Sequence, residues 1–166
     1  MNPRTRLLLG LLLASAMMAA GGALSATPAF QRLVFCAPAA HLAGLVSGAP
    51  CLRDGDDYRL PGSDLDLVVV PACAATDYFC LMAGFLSLLL IWRRQRLVSL
   101  LLVLPAAWVL TIIINALRLA ACWQTDRLAQ VLLPSSLWSA THMAVGVVTF
   151  LTGLTLVFYV YQRRTP

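Results

Sequence analysis

Four long apolar segments are the feature that most restricts how this chain can fold. The hydrocarbon core of a bilayer is about 30 Å thick and needs roughly 20 apolar residues of helix to cross it. The chain supplies such segments at residues 7–24, 72–92, 97–122 and 140–161. Of its 166 residues, 60% are hydrophobic and only 11% are charged, whereas about a quarter are charged in a globular domain. These proportions exclude an ordinary soluble domain and predict an all-α integral membrane protein, with a single membrane domain over residues 1–166.

The arginines predict the orientation of the four helices. Seven arginines, with no aspartate among them, fall at helix ends on one side of the membrane, namely Arg4, Arg6, Arg93, Arg94, Arg96, Arg163 and Arg164. The other five arginines fall on the opposite side together with all seven aspartates. Because positive charge in short loops favours the cytoplasmic side, both termini are expected in the cytoplasm. This distribution explains the net positive charge without a nucleic-acid partner.

Residues 25–71 are predicted to form one long external loop between the first two helices. Within it, residues 53–66 are rich in Asp, Gly and Pro, which indicates turns, and residues 65–70 are expected to run extended into the second helix. The first apolar segment ends in the small residues 19–23, which are also typical of a signal-peptide cleavage site. We interpret this segment as a retained helix, with cleavage as the alternative.

Polar side chains gather at one predicted membrane boundary. Cys73 and Asp77 open the second helix, Asn115 and Arg118 lie toward the end of the third, and His142 starts the fourth. The predicted topology puts all five at the outer face, where ionisable groups are costly and usually functional. A thiolate is a nucleophile, an imidazole can take the thiol proton, and a guanidinium can stabilise an oxyanion. The set is therefore typical of an acyl-transfer site.

Spacing suggests supporting roles, although each residue also has a structural interpretation. Asn115 precedes Arg118 by three residues, so both share a helix face and the amide is placed to orient the guanidinium. Asp77 is placed to orient His142, to pair with Arg118, or only to favour a helix N-terminus by its charge. Taken singly, Cys73 is typical of a packing residue and Arg118 of a residue that snorkels to the interface. Their agreement in depth across three helices favours a site.

Three short segments carry a family resemblance. They are Cys73-Ala74-Ala75, Asn115-Ala116-Leu117-Arg118, and His142 followed by Gly146 and Phe150. Together they resemble the exosortase/archaeosortase family of membrane cysteine transpeptidases, and the chain is similar in length to short members such as exosortase K. The resemblance covers residues 71–150. Ala75 stands where the family usually has Gly, and longer members have more helices than the four predicted here.

The resemblance implies a reaction and a role for three residues. Cys73 is the implied nucleophile, His142 the general acid and base, and Arg118 the electrostatic stabiliser. The implied substrate is an exported protein whose C-terminus carries a recognition motif, a transmembrane helix and a basic tail, as in PEP-CTERM proteins. Cleavage is expected at the outer face of the bacterial cytoplasmic (inner) membrane through a Cys thioester, which water or an amine acceptor resolves. The reaction requires no metal or organic cofactor.

The other cysteines keep two further functions open. Cys36 and Cys51 both fall in the predicted external loop at a spacing that allows a structural disulfide, whereas Cys80 and Cys122 are interpreted as packing residues. No cluster has the spacing of metal ligands. A quinone-linked thiol-disulfide oxidoreductase is the first alternative, although such proteins generally use a C-x-x-C pair, which the sequence lacks. A non-catalytic membrane assembly subunit is the second.

Overall fold

The computed structural model describes residues 3–25, 27–62, 66–92 and 102–164, and this part of the chain is mostly helical. Its helices are α1 (Pro3–Ser25), α2 (Pro28–Ser47), α3 (Thr76–Trp92), α4 (Val103–Leu132) and α5 (Trp138–Arg164). Three short strands, β1 (Leu52–Asp54), β2 (Asp57–Leu60) and β3 (Leu67–Val69), lie between α2 and α3. Arg93, Arg94 and Arg96, on which the predicted orientation largely depends, lie outside the described residues.

Four helical segments of the described chain are long and apolar enough to cross a membrane. By length and composition these are Pro28–Ser47, Pro71–Trp92, Val103–Leu132 and Ser135–Arg163. The prediction of a mostly helical protein with membrane-length apolar helices is confirmed at this level. α1, with 23 residues, covers the predicted first segment. α5 has no fully buried apolar side chain and leaves many of them exposed, which suits a lipid environment better than water.

The described residues between 25 and 71 form a helix and a small sheet, so the prediction of one long loop is wrong. α2 occupies the first half of the segment and continues through Pro38, which lacks the amide proton that would bond to the Val34 carbonyl. A π-helical turn over Arg32–Cys36 precedes the proline. The indole Nε1 of Trp108 on α4 donates to the freed Val34 carbonyl at 3.0 Å. A neighbouring helix thus satisfies the backbone group that the proline releases.

The second half of that segment forms an antiparallel sheet in the order β1-β2-β3. The turn between β1 and β2 has Gly55 at a φ of +61°, a left-handed conformation that favours glycine. Arg59 on β2 pairs with Asp66 at 3.2 Å. The indole of Trp123 on α4 donates to the Pro61 carbonyl at 3.2 Å and so ties the sheet to α4. The strictly all-α prediction is therefore wrong for this segment.

Three of the predicted helices shift at their ends. α3 begins at Thr76 and not at residue 72. α4 continues to Leu132, well past its predicted end at residue 122, and stops before Pro134, whose preceding residue is extended. Pro105 lies in the first turn of α4, where a proline breaks no internal hydrogen bond. α5 begins at Trp138, close to the predicted start.

α4 lies at the centre of the packing, in contact with α2, α3 and α5, and α1 packs along α3. One core cluster joins α2, the sheet and α4, and a second joins α3, α4 and α5. Phe79, in the first turns of α3, packs against both clusters. The segment that carries Cys73 therefore lies where the sheet meets the helices.

Candidate functional site

Cys73 lies in a short 3-10 turn, Pro71–Cys73, between β3 and α3. Its amide donates to the Val70 carbonyl at 2.7 Å. Its own carbonyl accepts a hydrogen bond of 2.8 Å from Nδ2 of Asn115, which is fully buried on α4. α4 therefore holds the cysteine backbone directly, and Cys73 precedes α3 instead of opening it as predicted.

The chain enters α3 through Ala75 in a left-handed conformation. Its φ of +56° is the only positive value at a non-glycine residue in the described part of the chain. This conformation costs a residue with a Cβ roughly 1–2 kcal/mol. The backbone therefore adopts here a conformation that favours glycine.

The Arg118 guanidinium is enclosed by neighbours on α4 and α5. Its Nη1 donates to Oδ1 of Asn115 at 3.4 Å, and its central carbon lies 5.3 Å from the ring centroid of Phe150, within cation–π range. Gly146 makes room for it, because an added Cβ there would lie 3.0 Å from Nε. The Nε–H group is buried and has no hydrogen-bond partner among the described residues. A buried donor without a partner is costly and calls for an explanation.

His142, near the start of α5, faces Asp126 on α4. Nδ1 of the ring lies 3.1 Å from Oδ2 of the carboxylate, and the two side chains are 35% and 32% exposed. An ionised carboxylate only accepts hydrogen bonds, so we assign the proton of the neutral ring to Nδ1 and leave Nε2 as the acceptor. The carboxylate that contacts His142 is thus Asp126. Asp77, a sequence candidate for this role, is exposed in the first turn of α3.

Two facing rows of residues bring these groups together. The rows consist of Arg118, Cys122 and Asp126 on α4, and of His142, Gly146 and Phe150 on α5. A spacing of four residues keeps the members of each row on one helix face. Asp126 was missed at the sequence level because the third helix was predicted to end at residue 122. Its position two turns after Arg118 was the available signal.

Three of the cysteines lie near one another beside this site. Sγ of Cys36 donates to the Val70 carbonyl at 3.4 Å, and the same oxygen accepts the amide of Cys73. Sγ of Cys122 lies 3.9 Å from the His142 carbonyl. Cys73 interacts electrostatically with both of the other thiols. Cys36 and Cys73 thus share one acceptor, whereas the Cys122 sulfur faces α5.

The predicted disulfide between Cys36 and Cys51 is not formed, and both thiols are free. Eleven residues of α2, Ala37–Ser47, separate them. The chain then folds back so that Cys51 lies against Gly44, but the eight residues from Cys36 to Gly44 still span roughly 12 Å of helix, whereas a disulfide needs Cα atoms within about 7 Å. Burial raises the pKa of the Cys51 thiol above its ordinary value.

A cavity of about 270 Å³ opens beside His142. Its walls come from α4, from the start of α5 and from the sheet, and include Asp66, Trp123, Asp126, Arg127 and Trp138. The guanidinium of Arg127 lies 4.9 Å from the Trp123 ring. Cys73 is not part of the wall. The cavity therefore gives a ligand access to the imidazole from the side of the sheet.

These groups have the chemical abilities that acyl transfer needs. An unpaired guanidinium N–H can donate to a developing oxyanion, and an imidazole held by a carboxylate can move a proton. In the described chain, no hydrogen bond joins the Cys73 thiol to the His142 ring. Nor do the described residues contain a group of three or more His, Cys, Asp or Glu side chains that could hold a metal ion.

Comparisons of the chain with protein-family models, with curated proteins and with solved structures found no match. The site residues and their contacts are therefore what a functional proposal has to explain.

Proposed function

We propose that this protein is a membrane-embedded cysteine peptidase or transpeptidase of the exosortase type. It cleaves C-terminal sorting signals, similar to those of PEP-CTERM proteins, from exported proteins. The observation that carries the proposal is the pair of facing rows on α4 and α5. α4 carries Arg118, Asp126 and the Asn115 that binds the Cys73 carbonyl, and α5 brings His142 against Asp126.

The proposed reaction begins at the thiol of Cys73. Nε2 of His142 takes the thiol proton, and the thiolate attacks the scissile carbonyl. The developing oxyanion accepts a hydrogen bond from Nε of Arg118, a buried guanidinium donor that has no partner among the described residues. The tetrahedral intermediate collapses to a thioester while His142 gives its proton to the leaving amine. Water or an amine acceptor, deprotonated by His142, then releases the product.

Substrate binding has to align the thiol with the imidazole. Catalytic hydrogen bonds are often absent or long without substrate and tighten in the complex. Asn115 holds the carbonyl of Cys73 and not its sulfur. The thiol can therefore rotate about χ1 toward His142 without loss of the bond that anchors its backbone.

The apolar helices support a location in the bilayer. In the proposed topology α2 stays with the sheet on the outer side and does not cross the bilayer. The crossings of α1, α3, α4 and α5 then leave both termini in the cytoplasm, as the arginine distribution favours, and Cys73 at the periplasmic or exterior face. A substrate with its own transmembrane helix then diffuses in the membrane to the enzyme and presents its cleavage point at a fixed depth. The proposed partners are such substrates and the lipid bilayer.

Cleavage of a reporter tests the proposal. An exported reporter that ends in a PEP-CTERM-type motif, a transmembrane helix and a basic tail is co-expressed with the parent chain or with Cys73→Ala, Arg118→Ala or His142→Ala at matched abundance. We expect cleavage by the parent alone, through a hydroxylamine-sensitive adduct on Cys73. The matched control is Cys80→Ala, which removes a buried thiol from α3 and should cleave normally. Cleavage of the reporter by the Cys73→Ala variant would refute the proposal.

The same variants separate the two other functions. A quinone-linked thiol-disulfide oxidoreductase would require Cys36 and Cys51 and would tolerate loss of His142, and the separation of the two thiols gives it no support. In a non-catalytic assembly subunit, Arg118→Ala would lower the abundance of the protein instead of its turnover.

A further inference from the structure

We propose that Cys36 and Cys73 form a reversible disulfide that switches the site off. The pairing depends on the geometry of two turns, whereas its effect on activity rests on the proposed function.

One carbonyl oxygen brings the two cysteines together. The Val70 carbonyl accepts the Cys36 thiol at 3.4 Å and the Cys73 amide at 2.7 Å. The π-helical turn of α2 ends at Cys36, the 3-10 turn ends at Cys73, and the two turns pack against each other. A disulfide needs Cα atoms within about 7 Å. Two packed turns that share an acceptor can reach that separation with little movement.

Burial decides the order of the chemical steps. Cys73 is partly exposed and Cys36 is fully buried, so an oxidant meets Cys73 first. The Cys73 thiolate attacks a small-molecule disulfide such as oxidised glutathione, which forms a mixed disulfide and releases one reduced thiol. Cys36 then attacks the Cys73 sulfur of the mixed disulfide and releases a second molecule of reduced glutathione. Two electrons and the two thiol protons thus pass to the glutathione.

Geometry favours Cys36 over the other thiols as the partner. Cys51 lies against Gly44, two turns of α2 after Cys36, and Cys80 lies inside α3, after the left-handed turn at Ala75. Cys122 also interacts electrostatically with Cys73, but its sulfur faces the His142 carbonyl on α5. Cys122 is therefore the competitor that an experiment has to separate from Cys36.

Oxidation of the full-length protein in lipid nanodiscs tests the pairing. The protein is treated with oxidised glutathione, free thiols are blocked, and disulfide-linked peptides are identified by mass spectrometry. We expect a peptide pair joined through Cys36 and Cys73 in the parent and in Cys122→Ser, and reversal by dithiothreitol. Cys36→Ser should stop at a glutathione adduct on Cys73. Because Cys36 is buried, both Cys36→Ser and Cys36→Ala are prepared. The variant whose melting temperature matches that of the parent is used.

Two measurements distinguish failure of the disulfide pairing from failure of the proposed function. A link between Cys73 and Cys122, or a parent protein whose Cys73 stays free or stops at the adduct, overturns the pairing. On the same samples, reporter cleavage by the parent should fall by about tenfold or more on oxidation and return on reduction, because the thiolate is the nucleophile. If the disulfide forms in the parent protein while the Cys73→Ala variant still cleaves the reporter, the proposed function fails and the pairing stands.

Discussion

The Nδ1 atom of His142 lies 3.1 Å from Oδ2 of Asp126, across the contact between α5 and α4. The same helix contact brings Arg118 against Gly146. In the proposed reaction, the positions of the base and of the oxyanion stabiliser therefore depend on one pair of helices. Asp126 is a positioning residue, because it acts on the reaction through the imidazole.

We expect Asp126→Asn to lower kcat for reporter cleavage by about 100-fold or more, since a well-placed general base contributes on the order of 10²–10⁴. An amide can donate to Nδ1, which favours the tautomer with its proton on Nε2 and removes the acceptor for the Cys73 proton. Asp126→Glu keeps the carboxylate and should restore part of the rate. Asp77→Asn on α3 is the matched control. Equal loss in Asp77→Asn and Asp126→Asn would show that Asp126 has no special role.

We expect Gly146→Ala to lower the kcat for reporter cleavage while the melting temperature stays close to that of the parent. The added methyl group would lie 3.0 Å from Nε of Arg118 and push aside the donor that we assign to the oxyanion. Gly153→Ala, two turns further along α5, is the matched variant, because its methyl group would meet the Ile114 side chain at 2.7 Å instead. Gly153→Ala should lower the melting temperature while the kcat of the folded protein stays near the parental value. The two variants are compared by thermal unfolding and by reporter cleavage, and the same pattern in both would refute the assignment.

Local properties of the sequence predict much of the fold. Apolar length alone predicts α1 and α5 within a few residues of their observed ends. α2 was missed although its residues are apolar enough for a membrane helix. Its continuity through Pro38 is non-local, since the freed Val34 carbonyl accepts a hydrogen bond from Trp108, 74 residues away in the chain. The conformation of Ala75 is equally non-local, since alanine on its own favours a helix.

The candidate site was also predictable from the sequence only in part. The sequence suggested that Asn115 and Arg118 share a face, and in the structure these side chains are in contact. The contact between Asp126 and His142 was hidden because falling hydropathy after residue 122 suggested that the helix ends there. The Cys73 carbonyl as the partner of Asn115 could not be predicted, since a backbone contact leaves no signature in residue type.

Asn115→Ala should destabilise the protein by about 1–3 kcal/mol, the usual cost of a buried polar group that loses its partner. The Cys73 carbonyl would lose its donor and Arg118 its acceptor. Thr111→Val, one turn earlier on α4, is a matched control. The Thr111 hydroxyl is buried and has no hydrogen-bond partner among the described residues, so its removal should be neutral or stabilising. Thermal unfolding in detergent measures both, and a larger loss in Thr111→Val would contradict the assigned contacts.

Ala75→Gly should stabilise the protein by about 1 kcal/mol, because glycine avoids the cost that a Cβ incurs in the left-handed region. The neighbouring Ala74 has a φ of −66°, where alanine is at no disadvantage. Ala74→Gly is thus the control, and it should destabilise by about 1 kcal/mol or more, through the added entropy of the unfolded chain and the loss of a buried methyl group. Thermal unfolding of both variants in the same detergent measures the difference. If both variants shift the melting temperature in the same direction, the strain at the entrance to α3 does not limit stability. Opposite shifts would support a turn that holds Cys73 at a cost in backbone strain.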